Sequence, residues 1–210
     1  MSLAKLLQLA SPTLPVGAYS YSGGLEAAIE SGVVKNAATA EQWIGDVLEH
    51  SVARMEAPIV LALLKSEDFS ELNERFLASR ETAELRAETV QMGYSLNRLL
   101  KDLGLGEVPV EEPSFPAAFA FAARQWKIEP AAALQAYLWA WLENQVMAAV
   151  KAVPLGQTDG QKILLALGSN LEKLVKRIET MQDEEIGNFA PGLAMLSSQH
   201  ETQYSRLFRS

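Results

Sequence analysis

Apolar residues recur at helical spacing along nearly the whole of this chain, and that period constrains the fold more than any single motif. Trp43, Ile44, Val47, Leu48, Val52 and Met55 form one stripe. Leu85, Met92, Leu96, Leu99 and Leu103 form another, in a long helix expected over 81–103. Thr39 with Gln42 predicts a capping-box start for the first, and Asp68 with Glu71 opens the next helix. Pro58 predicts either a kink or a new helix over 59–66. Residues 104–116, GLGEVPVEEPSFP, are a break, with a short aromatic helix after them. Glu129-Pro130 starts a segment that is apolar on nearly every side over 131–150, the mark of a central buried helix. Thr158 and Gln161 predict the cap of a final long helix whose stripe is Ile163, Leu167, Leu171, Leu174, Ile178 and Met181. No segment alternates as a strand would. The expected fold is an all-α single domain of roughly ten helices over 1–210. The tail from 182 differs in character, with a short helix expected from about Gly192 to Tyr204.

Composition removes several classes of function. The chain has 210 residues, a formal charge of −8 and no cysteine. Thiolate nucleophiles, disulfide frameworks and Cys-based metal sites are thereby excluded. The acidic balance disfavours nucleic acid and anionic membranes as partners. Lys5 is followed by too short an apolar run for an export signal, and the run ending at Leu142 is too short to span a bilayer. A cytoplasmic location is expected.

The remaining candidates for catalysis or metal binding are weak. His200-Glu201 begins like H-E-x-x-H, but Tyr204 stands where the second histidine is needed. Asp46 and His50 offer two ligands one turn apart, about half of what a closed site requires. Ser197 and Ser198 lie near His200, yet proximity in sequence does not make a nucleophile–base pair. GQTDGQKI at 156–163 has Gln161 where a phosphate loop needs its second glycine. No cofactor is expected, and neither GTP nor nickel should bind the isolated chain tightly.

The stretch 11–26, SPTLPVGAYSYSGGLE, is uncharged until Glu26 and punctuated by prolines and glycines. It reads either as a connection between helices with its tyrosines packed inward, or as a recognition surface, since exposed tyrosine supplies contact area and a hydroxyl at low entropic cost.

Three blocks, LLQLASPTLPVGAYSYSGGLE, VPLGQTDGQKIL and SSQHETQYSRLFRS, resemble the UreF family of urease accessory proteins in order and separation. The resemblance implies an all-helical homodimer with no enzymatic activity. It further implies an adaptor that bridges the accessory protein UreD (UreH in some systems) and the GTPase UreG, so that nickel is inserted into apo-urease. By the same match Tyr19 and Arg206 are the leading partner-binding residues. Pro15, Gly17, Ser20, Tyr21, Glu26, Tyr204, Leu207 and Phe208 are further members. The tail is expected to order when a partner binds, with Leu207 and Phe208 as anchors and the Arg206 guanidinium on loop carbonyls around Pro15–Tyr19. Two alternatives stay open: a metallochaperone using His50 or His200, and a helical enzyme working at the 11–26 loop with Glu26 or His200 as general base.

Overall fold

The computed structural model describes residues 3–210, and among these no strand occurs. Eleven α-helices follow one another: α1 (Leu3–Leu9), α2 (Leu25–Glu30), α3 (Ala37–Val47), α4 (Ala57–Lys65), α5 (Ser70–Ala78), α6 (Ala83–Asp102), α7 (Phe115–Gln125), α8 (Pro130–Ala152), α9 (Gln157–Gly168), α10 (Leu171–Glu179) and α11 (Pro191–His200). α8 forms the axis. Its Leu134, Tyr137, Leu138, Leu142 and Val146 are buried, and it packs against α1, α2, α3, α4, α7, α9 and α10. The Glu129 carboxylate accepts from Ala132 N at 3.0 Å, and Pro130 fills the first turn, where no amide is needed. An element apolar on most sides has only one stable place, the middle.

Several boundaries differ from the sequence reading. The cap of α3 is Asn36, whose side chain accepts from Thr39 N at 3.0 Å. Thr39 is thus the third helical residue of a capping box, and the helix begins before it. The predicted final long helix is two helices: Gly156 caps α9 with no side-chain bond, Thr158 lies inside it, and the chain turns at Ser169-Asn170. Leu103 lies beyond the end of α6 and is exposed. α11 ends at His200, so Tyr204 falls outside it.

Between α3 and α4 the chain stays helical but widens into a nine-residue π-helix, Leu48–Glu56. π-segments cost regular pairing and are found mostly where geometry matters. Two carbonyls here are satisfied from outside: His50 O accepts from Phe189 N at 3.3 Å and Arg54 O from Gly187 N at 3.0 Å. The expected break at Pro58 is therefore a change of helical type, with Pro58 in the first turn of α4.

The π-helix ends at Glu56, which accepts the Tyr137 hydroxyl and lies 3.5 Å from the Arg80 guanidinium. These three side chains and Glu88 line a cavity of about 260 Å³. Burial pushes the Glu88 carboxyl up to about 7, with the Glu56 charge adding to the effect and Ser210 and Arg80 opposing it. The folded state thus holds the Glu88 proton more tightly than the unfolded chain does. Its contribution is fully present below the unfolded value of 4.5 and is lost as pH rises through about 7. Denaturant unfolding at pH 5 and pH 8 should show a larger stability loss for the wild type than for Glu88→Gln. Equal losses would mean that Glu88 titrates as it does in the unfolded chain.

Candidate functional site

The 11–26 stretch and the carboxyl-terminal segment lie against each other. After α1 the loop turns at Gly17, whose positive φ of 79° suits glycine, and makes a short 3₁₀ turn, Ala18–Ser20. Tyr19 is 75% exposed while Tyr21 is 5% exposed. The Tyr21 hydroxyl donates to Gln91 Oε1 at 2.7 Å, and burial is the main reason its phenol is pushed up. The inward packing expected of the tyrosines is seen for Tyr21 and not for Tyr19. Tyr21 ties the loop to the body, and Tyr19 faces outward.

The tail is sewn to this loop through the backbone. Arg209 N donates to Ser20 O at 2.9 Å and Ser22 N to Ser210 O at 3.0 Å. Ser22 Oγ donates to the same carbonyl, and Ser210 Oγ reaches Glu88 at 2.7 Å. Gly24 permits the close approach of α11. A Cβ there would stand 2.8 Å from Leu193 Cδ1, at a φ of +84°.

Glu26 is the centre of the junction. It is buried in the first turn of α2, and its carboxylate accepts Leu207 N at 2.7 Å and Phe208 N at 2.8 Å. His200 Nε2 lies 3.2 Å from the same carboxylate, and His200 Nδ1 lies 2.6 Å from Glu84. Arg206 Nη1 donates to the other Glu84 oxygen at 2.6 Å. The ring thus bridges the two carboxylates, and Arg206 makes a further contact with Glu84. The ring has no exposed surface. Glu201 extends the junction by accepting Ala83 N at 2.9 Å, at the start of α6.

The sequence-derived residues divide accordingly. Tyr21, Glu26 and Phe208 are buried and hold the junction together, whereas Pro15, Tyr19, Tyr204, Arg206 and Leu207 are exposed on it. Gly17 and Ser20 supply the turn between them. Two expectations about the tail are corrected. Arg206 pairs with Glu84 rather than with the Pro15–Tyr19 carbonyls, because α6 places a carboxylate beside it. Leu207 is 59% exposed, so Phe208 alone is the apolar anchor, its ring under the Lys151 ammonium at 4.5 Å.

Glu84, Glu88 and Gln91 escaped the sequence reading. Their spacing puts them on one face of α6, and that regularity of polar groups was the available signal.

His200 and Glu26, each of them a candidate general base, do meet, but the ring is fully enclosed among its partners. Ser197 is likewise buried and bonded to Thr82 Oγ1 at 2.8 Å. Asp46 and His50 are exposed. Among the described residues no group of three His, Cys, Asp or Glu could hold a metal ion, and no helix is long and apolar enough to cross a membrane.

Comparison with known proteins bears on what such a junction serves. The sequence model of the UreF family matches residues 34–168. A urease accessory protein UreF from Azoarcus sp. is 58% identical, in an alignment covering 100% of this chain and 96% of that protein. Those from Dechloromonas aromatica and Janthinobacterium sp. are 52% and 50% identical, each with 98% of its length aligned. The all-helical body, the loop bound to its tail and the full-length similarity lead to one conclusion: the chain belongs to the UreF family of urease accessory proteins.

Proposed function

We propose that this protein is a non-enzymatic adaptor in the cytoplasm. It bridges UreD (or UreH) and the GTPase UreG while nickel is inserted into apo-urease, and it acts as a homodimer. The observation that carries this reading is the division of labour at the loop–tail junction. Buried Glu26 fixes the tail's backbone, while Tyr19, Tyr204, Arg206 and Leu207 are left on the outside. Exposed side chains on a rigid support, with Arg206 itself held in place by Glu84, suit recognition by another protein. UreD favours the docked tail, and the docked tail with the loop offers UreG its surface. Nickel is cargo handled by the assembly rather than a ligand of this chain.

Size-exclusion chromatography of UreD with wild type, Tyr19→Ala or Arg206→Ala, followed by addition of UreG, tests the reading. Losing a buried contact at an interface costs about 1.5–3 kcal/mol, so UreG recruitment should fall about ten-fold or more for each variant. Recruitment equal to wild type by both variants would reduce the loop to a connection.

A further inference from the structure

The cavity beneath the loop carries an inference separate from partner recruitment. Exposed Pro12, Tyr19 and Met147 and half-buried Glu143 line its outer part, and the well-covered Glu56, Arg80 and Tyr137, with Glu88, line the rest. Leu9, Val16, Val52 and Met92 supply apolar wall between them. About 260 Å³ is close to the lower end of small-molecule sites, and an apolar cleft with a few convergent polar groups is their usual make-up.

The charges in it do not balance. Three carboxylates, Glu56, Glu88 and Glu143, line the cavity together with one guanidinium, Arg80. Arg80 lies against Glu56, which also accepts the Tyr137 hydroxyl, so Glu56 is compensated. Glu88 is not. Its hydrogen bond comes from a neutral hydroxyl, that of Ser210, and the charged groups felt there are Glu56, of like sign, and Arg80, already engaged. Glu143, in the outer part, is likewise held above its ordinary value by burial. A carboxylate in an apolar cavity without a cation of its own favours a ligand that brings one.

We propose that the cavity binds a small organic cation, an alkylammonium or alkylguanidinium compound, with its head on Glu88 and its hydrocarbon along the apolar wall. A metal ion fits poorly, because the cavity offers no cluster of three ligating side chains. Binding also reaches the tail. A fully ionised Glu88 accepts the Ser210 hydroxyl in a charge-assisted bond, which is stronger than the neutral one, so an occupied cavity and a docked tail support each other.

The test uses n-butylammonium as probe and n-butanol as its uncharged counterpart, titrated by calorimetry at pH 7. Saturable one-to-one binding of the amine is expected, with the alcohol at least about ten-fold weaker. Because Glu88 releases part of a proton as the cation binds, the observed enthalpy should differ between phosphate and Tris buffers. Glu88→Gln keeps an oxygen for the Ser210 hydroxyl, and it should weaken the amine about ten-fold or more and remove the buffer dependence. Equal affinity for amine and alcohol, or no saturation by the amine, overturns the proposal on the wild-type protein alone. Unchanged amine binding by folded Glu88→Gln overturns it as well. Each outcome is read on this chain alone, so the proposal stands or falls apart from the UreG experiment.

Discussion

Glu26→Ala is expected to loosen the carboxyl-terminal segment while the helical body stays folded. The carboxylate accepts two tail amides, Leu207 N and Phe208 N, and lies beside the His200 ring. A buried donor left without its acceptor costs about 1–3 kcal/mol. Keeping the tail in place would strand several at once, so the segment opens instead and its amides turn to water. The protein-side helices keep their own pairing, because α2 is held by Leu25, Ala27 and Ala28 in the core. Hydrogen exchange at Leu207 and Phe208 should accelerate about 100-fold, with circular dichroism unchanged. Exchange at the wild-type rate would mean that Phe208 and the Ser20–Ser22 backbone hold the tail without Glu26.

The largest global loss is expected from Gly93→Ala. Gly93 lies in α6 where the chain entering α7 crosses it, and a Cβ there would stand 2.0 Å from Pro113 O and 2.7 Å from Ser114 C. Both are backbone atoms, so no rotamer change relieves the overlap. The crossing segment is also clamped. Asn73 accepts Ser114 N at 2.9 Å and donates to Glu112 O at 2.9 Å, and Thr89 Oγ1 accepts Phe115 N at 3.0 Å. Moving the segment breaks those bonds, and moving α6 opens the core around Leu96 and Phe119. Overpacking typically costs about 1–3 kcal/mol, and an overlap with backbone belongs at the upper end, about 3 kcal/mol, a fall of roughly 6–12 °C in Tm for a chain of this length. Thermal unfolding within about 2 °C of wild type would show that the two elements can separate freely.

The helical period was legible because burial enforces it. Leu85, Met92 and Leu96, read as one face, are buried together in the structure, and the stripe fails only where the helix ends, at exposed Leu103. What escaped were features decided by contacts distant in sequence. The turn at Ser169-Asn170 interrupts a stripe that stays in phase across it, so periodicity alone could not reveal it. The π-helix leaves no local signature, since its spare carbonyls are satisfied by Gly187 and Phe189, more than a hundred residues away.

The site divides the same way. Tyr19 and Tyr21 stood out as residue types, but which of them turns inward depends on Gln91 of α6. Glu26 was visible as the first charge after a long neutral run. Its role as acceptor for the tail depends on a segment about 180 residues later, beyond any local pattern.

Recruitment of UreG by a UreD complex containing Glu26→Ala bears most directly on the central claim. Glu26 is 8% exposed and offers almost no surface to a partner. Any effect it has on recruitment must pass through the tail and loop that it holds together. If the junction is the recognition surface, the complex with Glu26→Ala should bind UreG about ten-fold or more weakly than the wild-type complex, with UreD binding and helical content retained. Recruitment at wild-type strength, from a variant whose tail exchange shows it released, would contradict the claim and place the UreG surface elsewhere.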